Sequence, residues 1–171
     1  APANVCTMAA KLGAEAAFVG KVGQDSFGTF LRGVLLENHV SCQGLRVDEK
    51  ARTSLAFVTL GEGGERDFCF YRSDGADTQL RPEELEEALL RSSKFLHFGS
   101  LSLTQEPCRS ATVRAVELAR SGGAVISYDP NYRLPLWESE TQALEMMRLG
   151  LRLADIVKVS QEEAQLLTGQ E

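Results

Sequence analysis

Apolar residues recur along this chain at two spacings, and the spacings mark the elements. Val5, Met8, Ala9 and Leu12 follow the i, i+3, i+4, i+7 rhythm of a helix, and Gly13 suits a left-handed C-terminal cap. The run AAFVGKVG at 16–23 reads as one short buried strand. Phe27, Phe30, Leu31, Val34 and Leu35 form a second helical stripe, opened by Asp25 or Ser26. TSLAFVTL (53–60) and RDFCFYR (66–72) are rich in β-branched and aromatic residues and flank GEGGE (61–65), which predicts a β-hairpin with a loose turn. Pro82, Glu83 and Glu84 predict the start of a helix carrying Leu85, Ala88 and Leu89.

The second half alternates regularly. Strand KFLHFGS (94–100) leads to a helix bearing Ala111, Ala115, Leu118 and Ala119. Strand AVISYD (124–129) leads to one bearing Leu144, Met147, Leu151 and Ala154, and strand DIVKVS (155–160) to one bearing Ala164 and Leu167. Strand–helix units of this length imply an α/β fold, with parallel strands covered by helices on both faces. The hairpin at 53–72 stands outside this alternation and should project from the body.

Composition narrows the function classes. A net charge of −6 argues against non-specific nucleic-acid binding, which needs Lys and Arg to neutralise phosphates. No run approaches the roughly 20 apolar residues of a membrane span, and no signal peptide is visible. Cys6, Cys42, Cys69 and Cys108 are scattered without metal-ligand spacing, which points to reduced thiols and a cytoplasmic protein. His39 and His97 have no catalytic company and read as structural. There is no P-loop, and no strand followed by G-x-G-x-x-G, which disfavours a dinucleotide-dependent oxidoreductase.

The chemistry gathers at strand ends. In an open parallel sheet, ligands bind beyond the carboxyl ends of the strands. Gly99-Ser100, Asp129-Pro-Asn131 and Lys158-Val-Ser160 all lie there, so a shared crevice is expected. In ISYDPNYRLPLW (126–137), Pro130 fixes a turn so that Asp129, Asn131 and Arg133 are held rigidly. The Arg133 fork suits phosphate oxygens or sugar hydroxyls; alternatively it pairs with Asp129 to hold the loop. Ser160-x-x-Glu163 is a capping box.

An ordered series of segments then carries a resemblance: APANV, LGAEAAFVGKVGQDSFG, ARTSLAFVTL, ERDFCFYR, HFGSLSL, SYDPNYRLPLW and DIVKVSQEEAQLLTG. Together they cover nearly the whole chain, and they resemble the ribokinase-like (PfkB) carbohydrate kinases, within them the fructokinase branch. The resemblance implies a ribokinase-like three-layer sandwich with a mostly parallel sheet and a small β-hairpin lid at about 53–72. Residues 1–171 would form part of one such domain, cut at both ends. The family's first strand, with its acidic sugar contact, and its C-terminal Gly-Ala-Gly-Asp segment have no counterpart here, so the catalytic base and anion hole are expected elsewhere.

The same resemblance assigns roles. Asn4 falls where the family sets an amide against sugar hydroxyls, although the residue type also suits a helix cap. Asp25 reads as a cap or a ligand. Phe70 and Arg72 match lid positions that contact substrate in related kinases, or else belong to an ordinary strand. Asn131 would face ATP phosphates or hydrated Mg²⁺, Lys158 and Ser160 would approach phosphate, and Glu163 would orient Mg²⁺ through water. The exposed face of the lid is where many relatives form homodimers. The implied activity is ATP-dependent phosphorylation of a hexose, D-fructose first, with Mg²⁺. A 2-keto-3-deoxygluconate or nucleoside kinase, or a non-catalytic sugar-binding module, stands as the alternative. A fragment with an incomplete sheet should expose apolar surface.

Overall fold

The computed structural model describes residues 1–61 and 66–170. In chain order its main elements are α1 (Pro2–Lys11), β1 (Ala16–Ala17), β2 (Gly20–Gly23), α2 (Ser26–Glu37), β3 (Val40–Ser41), β4 (Leu45–Asp48), β5 (Leu55–Leu60) and β6 (Arg66–Tyr71). Then come α3 (Glu87–Ser92), β7 (Phe95–Gly99), α4 (Cys108–Ser121), β8 (Val125–Asp129), α5 (Glu140–Leu153), β9 (Ile156–Val157) and α6 (Gln161–Thr168). Strands β7, β8 and β9 form a parallel three-stranded sheet in that order, β1 pairs with β3 and β2 with β4 in parallel, and β5 and β6 form the antiparallel hairpin.

Helices α4 and α5 pack on β7 and β8, which places the main core there. Phe98, Ile126 and Tyr128 meet Val116, Ala119, Ala143 and Trp137 in one buried cluster. Alternation along the strands sends Phe98 and its register partner Tyr128 to this side and the pair His97 and Ser127 to the other. A second cluster joins Leu80, Leu85 and Leu90 to Cys108, Ala111 and Leu118 of α4. Burial there pushes the Cys108 thiol up to about 11, so it behaves as a small apolar side chain.

Several local expectations hold. Gly13 adopts φ +92°, with Ala14 N–H on Ala9 and Gly13 N–H on Ala10, the paired bonds of a Schellman ending. Asp25 caps α2 by accepting the Gly28 N–H at 2.8 Å. The loose turn assigned to 61–65 lies largely outside the described residues.

Two expectations and one alternative are corrected. The strand at 16–23 is two strands, β1 and β2, and each pairs with a strand not foreseen, β3 or β4. Those partners are only two and four residues long and carry Ser, Arg and Asp, so they have no apolar run to signal them. The helix expected from Pro82 is a 3-10 turn, Pro82–Glu84, and α3 starts only at Glu87. Between them Leu85 turns extended (φ −69°, ψ 139°) and enters the second core cluster, which breaks the helical path. Asn4 does not cap α1, because that helix starts at Pro2 with Ala1 as its N-cap. The apolar stripe of α1 also faces outward here: Val5, Met8 and Leu12 are exposed, as are Phe27, Phe30 and Leu31 of α2. The expected exposed apolar surface is therefore present.

Candidate functional site

The ends of β7, β8 and β9 are sewn to one another by polar side chains. The Ser100 hydroxyl, fully buried, donates to the Pro130 carbonyl, which ties the turn after β7 to the turn after β8. Asp129 accepts the Asn131 N–H at 3.1 Å with one oxygen and lies 3.6 Å from Lys158 Nζ with the other. The alternative Asp129–Arg133 pair is not formed; the exposed Lys158 takes that place. Asn131 sits at φ +45°, a left-handed conformation that Asn tolerates better than most residues, so the chain reverses sharply past Pro130.

Glu163 links this turn to α6. The capping box is complete, with Ser160 N–H on Glu163 Oε2 at 2.8 Å and Glu163 N–H on Ser160 Oγ at 3.2 Å. The other carboxylate oxygen accepts the Tyr132 N–H at 2.7 Å. Only 7% of Glu163 is exposed, and backbone donors compensate its charge. Tyr132, Arg133, Ser160, Glu162, Glu163 and Leu166 line an open cleft of about 420 Å³. Arg133 donates to the Tyr132 carbonyl at 2.6 Å and forms no ion pair among the described residues, so most of its fork remains available to a ligand.

The start of α1 comes to the same end of the sheet. The Ala1 nitrogen lies within electrostatic reach of Asp129 and Arg133, and α1 packs against β7, so the first turn of α1, with Asn4, is near the β8 turn. Asn4 is exposed, and its side chain makes no hydrogen bond among the described residues. Beneath it His97 Nδ1 meets Ser127 Oγ at 3.1 Å while Nε2 is buried without a partner. Burial lowers the His97 pKa against the opposing pull of Asp129, which keeps the imidazole neutral. It has the structural setting expected of it.

The hairpin is fastened at its roots. Thr53 donates its N–H and hydroxyl to Asp25, both at 2.8 Å, and its Oγ1 accepts the Gly23 N–H at 2.9 Å. The N–H groups of Thr53 and Gly28 hold the Asp25 carboxyl below its ordinary range. After β6, Arg72 donates to Asp77 at 2.7 Å, to Thr104 at 2.9 Å and to the Leu101 carbonyl at 2.8 Å. It is neither a free surface arginine nor a purely ligand-facing one. Three of its donors hold the root of the hairpin against the turn after β7, and about two of the five remain. Phe70, half-buried, stacks on Phe68 with ring centroids 6.0 Å apart.

The structure thus brings Arg133, Ser160 and Glu163 into one cleft and sets Asn131 and Lys158 beside it. Asn4 and Arg72 lie off its lining, on elements that flank the same strand ends. Asp77, Thr53 and Thr104, which fasten the hairpin, were not foreseen. The available signal was an acidic residue within the small-residue stretch Gly75-Ala76 that follows the hairpin. Among the described residues no three His, Cys, Asp or Glu side chains gather to hold a metal, and no helix is long and apolar enough to cross a membrane.

Comparison with known proteins agrees with this architecture. The family model described as pfkB family carbohydrate kinase matches residues 1–171. The probable fructokinase-4 of Arabidopsis thaliana is 52% identical over 169 residues, which are 99% of this chain and 52% of that protein. The crystal structure of fructokinase from Xylella fastidiosa with bound ATP superposes with a TM-score of 0.88 at 37% identity, over 98% of this chain and 52% of that one. The fructokinase of Vibrio cholerae O395, in its fructose, ADP and calcium ion bound form, gives a TM-score of 0.89 at 37% identity, over 99% of this chain and 55% of that one. The chain therefore spans about half the length of the relatives it matches. With a family model that matches the whole chain and a parallel α/β fold shared with these structures, the chain belongs to the pfkB family of carbohydrate kinases.

Proposed function

We propose that these residues are the sugar-binding portion of an ATP-dependent fructokinase that converts D-fructose to fructose 6-phosphate. The observation that carries this reading is the convergence of Arg133, Ser160 and Glu163 on one cleft at the strand ends, flanked by the α1 start and the hairpin root. A cleft with a guanidinium fork and a helix N-terminus suits phosphate oxygens. The half-identity to a plant fructokinase supports fructose as the acceptor. Asn4, Phe70 and Arg72 would hold the sugar, while Asn131, Lys158 and Ser160 would face the nucleotide phosphates.

Transfer forms a bond between the sugar oxygen and the γ-phosphorus, breaks the bond to ADP, and releases the hydroxyl proton to a base. Asp129 and Glu163 are poor candidates for that base, because both already accept backbone N–H bonds. We place the base and the anion hole elsewhere in the complete protein. Mg²⁺ would supply charge neutralisation on the phosphates. The donor set here fits it only through water, with Glu163 as the oriented carboxylate, which suits an ion that retains several waters.

An ADP-release assay on the complete polypeptide tests the reading. Fructose should release ADP well above a no-sugar control, and 2-keto-3-deoxygluconate and nucleosides should not. Release with one of those substrates but not with fructose overturns the assignment. For assembly, we propose that two copies pair through the outward hairpin face carrying Phe57 and Tyr71, both exposed and in edge contact at 5.6 Å. Light scattering that finds only monomers at micromolar concentration overturns it. All four cysteines are free thiols, which supports a cytoplasmic location testable by cell fractionation.

A further inference from the structure

The two strands of the hairpin leave the body at neighbouring points, and one carboxylate joins them. Ser54, immediately before β5, donates its hydroxyl to one oxygen of Asp77. Arg72, immediately after β6, donates Nε–H to the other oxygen at 2.7 Å. Close approach makes the joint possible: a Cβ at Gly75 would run into Ser54 Oγ, so a side chain there would drive that hydroxyl off Asp77. The Ala76 N–H adds a bond to the Arg52 carbonyl at 2.8 Å, which draws the segment onto the first root.

From Asp77 the connection runs inward. Arg72 reaches Thr104 and the Leu101 carbonyl, in the turn that follows β7. That turn begins at Ser100, whose hydroxyl holds the Pro130 carbonyl next to Asn131. Hydrogen bonds on either side of the Ser100–Leu101 peptide link thus connect the hairpin roots to the loop of the candidate site. The clasp made by Asp25 holds only the first root, whereas Asp77 holds both. Remove its carboxylate and Arg72 keeps its Nη contacts but loses the partner that fixes Nε, and the roots are no longer joined.

We propose that Asp77 is a positioning residue that joins the two roots of the hairpin and orients Arg72, thereby setting how the hairpin sits over the strand ends. The inference deepens the proposed kinase reading and rests on it for its kinetic consequence. Its structural consequence stands independently.

The test is Asp77→Asn in the complete protein. Asparagine removes the charge that binds Arg72 Nε–H and, with one acceptor oxygen, keeps Ser54 only if that hydroxyl turns to accept from the amide NH2. The KM for sugar should rise about tenfold or more, the loss of one charge-assisted bond, with the KM for ATP within about twofold. In an Arg72→Met background the same substitution should add less than about twofold, because Asp77 acts through Arg72. An unchanged sugar KM, or full additivity with Arg72→Met, overturns the proposal. Hydrogen exchange gives the second readout. Amides of β5 and of 67–71 should exchange faster in Asp77→Asn while those of β7 and β8 do not change, and equal hairpin exchange overturns it. Should Asp77→Asn fail to fold, Ser54→Ala, which removes one root bond alone, is read by the same exchange criterion. A wild-type protein that phosphorylates another sugar, or none, sinks the fructokinase reading only; hairpin exchange still judges Asp77.

Discussion

Glu163 accepts the Tyr132 N–H at 2.7 Å with one carboxylate oxygen and the Ser160 N–H at 2.8 Å with the other, so one side chain binds the loop after β8 to the start of α6. Glutamine can satisfy either donor but not both, since it offers a single acceptor oxygen. Glu163→Gln should therefore leave one shielded N–H unpaired and cost about 1–3 kcal/mol. Urea unfolding checks this: the midpoint should fall with the slope unchanged. A midpoint equal to wild type would mean that the loop is held by other contacts.

That strut shows where the sequence is legible and where it is not. Ser160-x-x-Glu163 signals a capping box because the partners are three residues apart and the geometry of a helix start is local. The Tyr132 contact spans 31 residues and depends on how β8 and β9 pair, which no local pattern encodes. The same division runs through the fold. Helical stripes and the hairpin rest on short-range periodicity and were readable. Strands β3 and β4 exist only because β1 and β2 lie beside them. Arg72 was readable as the residue that ends the hairpin, but its use of three donors on Asp77, Thr104 and Leu101 depends on the tertiary approach of three separate turns.

Two helix-interior glycines should respond to alanine with opposite signs. Gly33, within α2, has open space where a Cβ would be built, so Gly33→Ala should stabilise by up to about 1 kcal/mol through helix propensity. Gly150, within α5, faces the fully buried Tyr128 ring, and a Cβ there would lie 2.3 Å from its Cζ. Neither the ring nor α5 can withdraw without disturbing the main core, so Gly150→Ala should destabilise by about 1–3 kcal/mol despite its better propensity. Thermal melts of the two variants should move in opposite directions; a rise for both would show that Tyr128 has room to move.

Acid should find a weak point at Asp48. Its carboxylate accepts the Ala51 and Lys50 N–H groups, each at 2.9 Å, and pairs with Lys21 at 2.9 Å, contacts that lower its pKa to about 2. The unfolded value is near 3.9. A pKa depressed in the folded state contributes stability that is present above the unfolded value and is lost as pH falls towards about 2. Urea midpoints of Asp48→Asn and wild type should therefore differ most near neutral pH and converge in that acid window. A constant difference from pH 6 to pH 2.5 would remove Asp48 from the acid response.

Lys21 is the other member of that cluster, and it is nearly sealed from water. Its ammonium meets Glu84 at 2.7 Å, Asp48 at 2.9 Å and the Gln79 carbonyl at 3.2 Å, with 7% of the side chain exposed. Burial opposes the charge, but the two carboxylates outweigh it and raise the pKa above its ordinary value. Lys21→Met would leave both carboxylates facing each other across an apolar gap, at a cost of about 3–5 kcal/mol. Adding Glu84→Gln to Lys21→Met should recover part of that loss by removing one of the stranded charges. A double variant less stable than Lys21→Met would mean that Glu84 contributes mainly through its bond to the Arg81 N–H, not through Lys21.

Arg133 separates stability from ligand binding. Its one described side-chain hydrogen bond goes to the adjacent Tyr132 carbonyl, so replacing it breaks no hydrogen bond or ion pair between elements among the described residues. Arg133→Ala should leave the melting temperature within about 2 °C of wild type, as for other substitutions that break no tertiary contact. The same change removes the guanidinium fork from the cleft and should lower kcat/KM of the complete protein by about tenfold or more. Arg133→Lys keeps the charge but not the planar fork, so it should recover less than half of that loss in free energy if the ligand is held by two parallel bonds. Full recovery by lysine would instead assign Arg133 a purely electrostatic part, and an unchanged kcat/KM in Arg133→Ala would move the binding site away from the cleft.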